Sequence, residues 1–205
     1  MSNRPQTYLI VDAGPHAPSP KALAEAVRRA AIACVLLQPA EGANETQLRA
    51  LVEAIQAVDC AALLADDAAR ALGLGADGVH LAHHADADLA QQAYRTARAI
   101  LGDGRVVGAS GGLSRHTSMV LAELGADYVA LGGAPDHDPA AQLEMVAWWA
   151  ELFSVPCVAW GVLRAAEVPD LAAAGADFIA AGPQGGLESA IAVLSKLSEP
   201  EEAMR

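Results

Sequence analysis

Lysine is nearly missing from this chain of 205 residues: only Lys21 and Lys196 occur, both in stretches that read as helices. A Schiff-base aldolase needs a lysine amine in its site, so that chemistry is disfavoured. Cations as a whole are scarce, 13 Lys and Arg against 25 Asp and Glu, for a formal charge of −12. No Lys/Arg cluster is available to track a phosphate backbone, so nucleic acid is not an expected partner. No apolar run reaches the roughly 18 residues of a membrane span, and no membrane partner is expected. The start, Met1-Ser2-Asn3-Arg4-Pro5-Gln6, lacks the basic-then-apolar layout of a secretory signal. Cysteine is limited to Cys34, Cys60 and Cys157, each alone in an apolar run with no CxxC spacing. That argues against a disulfide or zinc framework and reads as buried thiols in a cytoplasmic protein. A GxGxxG after the first apolar run is also missing, which counts against a dinucleotide fold.

What the chain does have is one phrase stated three times. Gly75-Ala76-Asp77 leads into Gly78-Val79-His80-Leu81, Gly125-Ala126-Asp127 into Tyr128-Val129-Ala130-Leu131, and Gly175-Ala176-Asp177 into Phe178-Ile179-Ala180-Ala181. An alanine- and leucine-rich helix precedes each copy. A glycine just past a helix end adopts the left-handed conformation without a Cβ clash and stops the helix. The short apolar run after it, without polar alternation, reads as a strand buried on both faces. The period of 50 residues suits two βα units. Such a period also fits propellers and solenoids, but blades of four strands are contradicted by the helical stretches.

Taken in order, the sequence predicts eight βα units, with strands at 8–12, 34–37, 60–64, 78–81, 105–109, 128–131, 156–160 and 178–181. A last helix is expected over 187–197 and a polar tail over 198–205. Regular alternation of strand and helix argues for a parallel α/β fold. Eight units in 205 residues describe a (β/α)₈ TIM barrel as a single compact domain over 1–205. A doubly wound open sheet is the alternative.

In such a barrel the chemistry sits on the loops after the strands. Polar residues gather there: Asp12 and His16 after the first strand, Gln38 and Glu41 after the second, Asp66 and Asp67 after the third. His80 ends the fourth, followed by His83, His84, Asp86 and Asp88; Ser110 follows the fifth and Asp136-His137-Asp138 the sixth. His80, His83, His84 and His137 with these acids are ligand types for a transition metal. Equally, His80 reads as a structural histidine and the others as solvated loop residues. After the last two strands come Trp160-Gly161-Val162 and Gly182-Pro183-Gln184-Gly185-Gly186, the second opening a helix. Gly161, Gly182, Gly185 and Gly186 therefore form a candidate anion site from backbone N–H groups and a helix dipole, or merely tight turns. Trp148-Trp149 suggest one indole packed inward and one at a homodimer contact.

The series Tyr8-Leu9-Ile10-Val11-Asp12, Leu64-Ala65-Asp66, Gly75 to Leu81, Val107-Gly108-Ala109-Ser110 and Gly125 to Gly132 resembles thiamine phosphate synthase and its thiazole tautomerase relatives across nearly the whole chain. The resemblance implies a (β/α)₈ transferase. It would join a hydroxymethylpyrimidine diphosphate to a thiazole phosphate, with Mg²⁺, and release diphosphate. It implies a magnesium aspartate at Asp66; Asp67 and Asp86, the latter one place later than the family pattern has it, are candidate further ligands. A diphosphate-contacting serine falls at Ser110, and a thiazole-phosphate cradle at Gly161 and the Gly182 loop. Gln38 matches the first residue of a Gln-x-Arg-x-Lys pattern that holds pyrimidine and diphosphate.

The chain also departs from that pattern. Gln38-Pro39-Ala40 carries no cation, and Ala134-Pro135-Asp136-His137-Asp138 replaces a Thr-x-Thr-Lys loop. Gly112 stands where the tautomerase has histidine, and Trp160 where the family has glycine. Three readings follow: a synthase-type transferase, a diverged barrel enzyme on another phosphorylated or metal-bound substrate, and a non-catalytic ligand-binding relative.

Overall fold

The computed structural model describes residues 4–133, 138–162, 164–182 and 186–198. Eight parallel strands close into a barrel in sequence order: β1 (Gln6–Asp12), β2 (Cys34–Gln38), β3 (Ala61–Ala65), β4 (Gly78–Leu81), β5 (Val106–Gly112), β6 (Tyr128–Gly132), β7 (Cys157–Trp160) and β8 (Phe178–Ala181). The helices on the outside are α1 (Pro20–Arg29), α2 (Glu45–Gln56), α3 (Ala68–Leu74), α4 (Ala87–Leu101), α5 (Arg115–Glu123), α6 (Pro139–Leu152), α7 (Val168–Ala173) and α8 (Gly186–Leu194). This is a (β/α)₈ barrel, and the open sheet is ruled out by the β1–β8 pairing. Among the described residues no helix is long and apolar enough to cross a membrane.

Alternation along each strand splits the apolar residues into two shells. Tyr8, Ile10, Leu36, Leu63, Tyr128, Ala130, Val158 and Ala180 fill the barrel interior. Their sequence neighbours Leu9, Val35, Leu37, Leu64, Val129 and Ile179 pack against the helices. Both faces are buried, which is why the strands read as unbroken apolar runs. Most boundaries differ from expectation by no more than two residues, and two differ by three. β5 runs on to Gly112 because its register with β6 shifts between Ser110 and Gly112. The last helix ends at Leu194 and tightens into a 3₁₀ turn over Ser195–Ser198.

The three repeats each close the base of the barrel in the same way. Gly75, Gly125 and Gly175 take φ values of 77°, 92° and 97° and end their helices. The aspartate that follows then reaches back to the preceding strand. The Ala62 N–H donates to Asp77 at 2.8 Å, the Val107 N–H to Asp127 at 2.7 Å and the Cys157 N–H to Asp177 at 2.8 Å. In return the three aspartate N–H groups donate to the carbonyls of Ala62, Val107 and Cys157. Each repeat thus staples a strand pair at its N-terminal end, satisfying a strand amide that would otherwise lack a partner.

Candidate functional site at the C-terminal mouth

The mouth opens where the strands end. Between β1, β2 and α8 lies a cleft of about 680 Å³ whose polar lining includes Asp12, His16, Gln38 and Gly186. A second hollow, of about 650 Å³, runs between α3 and α4 and contains Asp66, Asp67 and His84. The candidate residues therefore divide into two sets, and neither of these cavities holds both. Gly185 and His137 lie outside the described residues.

Local backbone chemistry explains most of the acidic positions. Asp66 has φ 57°, its N–H donates to the His80 carbonyl, and its Oδ1 accepts from Ala82 N–H at 2.6 Å. It ties the end of β3 to the loop after β4. Asp67 caps α3 by accepting from Arg70 N–H, and Asp86 caps α4 by accepting from Asp88 N–H. Both are the residue type a helix N-terminus prefers. Among the described residues, no group of three or more His, Cys, Asp or Glu side chains is arranged to hold a metal ion.

The histidines separate as well. His80 lies inside the barrel rather than on the rim, 3% exposed, and burial lowers its pKa to about 3, so it is neutral. Its Nδ1 is 2.9 Å from the Tyr128 hydroxyl, which in turn is 2.9 Å from the Tyr8 hydroxyl. His83 is exposed, and its ring lies over Gly112, where an added Cβ would stand 2.9 Å from the imidazole. Glycine at that position is what lets the imidazole settle at the end of β5.

The anion candidates are positioned by the last two strands. Gly161 has φ 71°, and a Cβ on Gly182 would collide with the Ile10 backbone carbonyl. Among the described residues, no backbone carbonyl accepts from the N–H of Gly161 or Gly182, whereas Val162 N–H donates to Ala180. Gly186 opens α8, with Glu188 in the first turn paired to Arg29 at 2.8 Å. Ser110 is 4% exposed near the end of β5. The rim arginines are engaged: Arg115 with Glu144 at 2.9 Å and Arg164 with Glu167 at 2.7 Å.

Trp149 packs inward, its indole N–H donating to the Val155 carbonyl. Trp148 is half-buried, with the Arg115 guanidinium 4.6 Å from its ring centroid. Sequence reasoning missed Trp160 as a site residue, seeing in it only a departure from glycine. Its indole stacks on His80 with centroids 4.1 Å apart and planes 12° apart. The available signal was parity, since the end of β7 alternates into the barrel mouth.

A family profile described as thiamine monophosphate synthase matches residues 7–183. The thiamine-phosphate synthase of Rhodospirillum centenum is 39% identical over 166 residues, covering 77% of this chain and 77% of that protein. That of Erythrobacter litoralis is 36% identical over 151 residues, covering 68% of each. Among solved structures, a thiamine phosphate pyrophosphorylase from Pyrococcus furiosus superposes with a TM-score of 0.69 at 19% identity, over 97% of this chain and 99% of that one. A mutant tryptophan synthase α-subunit from the same organism gives 0.67 at 13% identity, over 97% and 98%. At these identities the structural likeness speaks for the fold alone.

Proposed function

This chain belongs to the thiamine monophosphate synthase family, and from that premise we propose that it joins a hydroxymethylpyrimidine diphosphate to a thiazole phosphate, releasing diphosphate. The observation that carries the reading is the span of the match, which reaches from β1 to just past β8. A cytoplasmic location goes with this biosynthetic role.

In the reaction the C–O bond at the pyrimidine methylene breaks and its electron pair leaves on diphosphate. The thiazole nitrogen then supplies the pair for the new C–N bond. The protein has to orient two rings and take up charge on the leaving group. Gln38 and the start of α8 share the cleft, where an amide side chain and helix N–H groups suit a polar ring edge and a phosphate. The Gly161 and Gly182 amides, after β7 and β8, and the buried Ser110 hydroxyl on β5 are further donors that lie outside that cleft. Among the described residues no Lys or Arg lines the cleft, so little cationic help comes from them.

Magnesium carried by the substrate fits this arrangement. Asp66 is exposed and, among the described residues, only Oδ1 of its carboxylate is engaged. Mg²⁺ needs one or two carboxylates when waters and substrate phosphates complete its shell, and Asp67 or Asp86 is the second candidate. When bound, the ion neutralises charge on the diphosphate. A histidine-held transition metal is disfavoured, because His80 is buried and committed to Tyr128.

The test is turnover of both precursors by purified protein with magnesium present, reading thiamine phosphate and diphosphate together. Both products in equal amounts are expected; neither, at any magnesium concentration, sinks the synthase reading. The cation-poor cleft favours one second reading, a ligand-binding relative, which tight thiazole-phosphate binding without turnover would establish.

A further inference from the structure

We propose that Trp160 seats the heteroaromatic ring of the substrate by stacking and so selects which ring the mouth accepts; this rests on the synthase reading above. Trp160 ends β7, at the catalytic end of the barrel, and is partly exposed. Its ring lies parallel to that of His80 at 4.1 Å, so one indole face is backed by the imidazole. Tyr8 meets the indole edge-on at 5.4 Å.

The indole is also held in place by its neighbours. Gln142, 1% exposed, donates from Nε2 to the carbonyls of Leu131 and Trp160 at 2.8 and 2.9 Å. That clamp fixes the Trp160 backbone to β6. A Cβ at position 133 would stand 3.0 Å from indole Cδ1, so Gly133 is what leaves room for the ring. His80 beneath is fixed through Tyr128 and Tyr8. Pre-positioned aromatic surface of this kind loses little conformational freedom on binding.

Pyrimidine and thiazole are both planar, electron-poor rings, the type that stacks in offset fashion on an electron-rich indole. As diphosphate departs, positive charge grows on the pyrimidine methylene, and an aromatic face attracts such charge. Trp160, at the end of β7 and stacked on His80, is the aromatic surface that would distinguish a heterocycle from a bare phosphate.

The experiment measures binding calorimetrically for each precursor separately, with inorganic diphosphate as a probe that has no ring. Wild type, Trp160→Ala and Trp160→Phe are compared. At least one precursor should weaken about tenfold in the alanine variant and stay within about threefold in the phenylalanine variant. Diphosphate affinity should not change. The precursor that weakens identifies the ring. Unchanged or tighter precursor binding by Trp160→Ala overturns the proposal, because the indole is then a plug. So does equal weakening of diphosphate, or no precursor binding by the wild type. Ring-dependent binding without turnover leaves this inference standing and removes the synthase reading; turnover with ring-independent binding does the reverse.

Discussion

The two ends of this barrel are built on opposite rules. At the base, one solution is used three times: glycine, alanine, and an aspartate whose carboxylate and N–H both bond the preceding strand. At the mouth, the side chains singled out each have a different role. Gln38 borders a cleft, Asp66 ties two loops, His83 lies over Gly112, and Trp160 covers His80. Repetition marks the end that only has to hold, and irregularity the end that has to discriminate. The same division is expected wherever stability and chemistry sit at opposite ends of the strands.

Four measurements would break or sharpen that contrast. The largest effect is expected at the mouth. Chelation, or Asp66→Asn, should slow thiamine phosphate formation by about a hundredfold or more, the loss typical when charge stabilisation of a leaving group is removed. Asparagine tolerates the positive φ and keeps an acceptor for Ala82, so urea stability should stay within about 1 kcal/mol. Full turnover in the presence of chelator would contradict the magnesium assignment.

At the base the pattern should invert. Asp127→Ala deprives Val107 N–H and Arg98 of their shared acceptor. A loss of about 1–3 kcal/mol in urea unfolding is expected, with kcat unchanged. Asp77→Ala and Asp177→Ala should cost similar amounts. A cost confined to one repeat would mean that the repeats are not equivalent staples.

His80 lies between the two ends. The unfolded chain binds its proton near the ordinary imidazole value of 6.5, while burial makes the folded chain resist it until about 3. Stability therefore falls as pH drops through that window, because the unfolded state holds the extra proton. Between pH 6.5 and 5 the wild type should lose about 1–2 kcal/mol more than His80→Gln, read from denaturation at each pH. Parallel losses would show that the imidazole charges without unfolding. The smallest effect concerns the thiols. Burial pushes Cys60 and Cys157 up to about 12 and Cys34 well above its usual value. A thiol reagent at pH 8 should label none of them until the protein unfolds; rapid labelling of native protein would show that a buried strand opens.

The fold was legible because its signals are local. Apolar runs marked the strands, and the glycines marked three helix ends. The end of β5 was not, because its register shift depends on the neighbouring strand β6. The base aspartates were seen as a repeat without a role, since each finds its amide 15 or 20 residues upstream. In the site, the sequence offers Asp67 and Asp86 as metal ligands, whereas their bonds to Arg70 and Asp88 are those of helix caps. His80 looked like a rim residue because it ends a strand; alternation turns it inward toward Tyr128. Trp160 needed the partner strands to show what it covers.

The base staples have a consequence for assembly. The strands are short and built from interchangeable Ala, Val and Leu, so a slip by two residues would preserve every inward and outward assignment. Hydrophobicity alone is a poor judge of such an error. A slip of that size moves a strand by about 6.6 Å, which carries the carboxylate beyond reach of its amide. Asp77, Asp127 and Asp177 thus anchor the start of their strand pairs at the base. Because stagger and circumference are linked in a closed barrel, three side chains at the base help to set the shape of the opening at the other end.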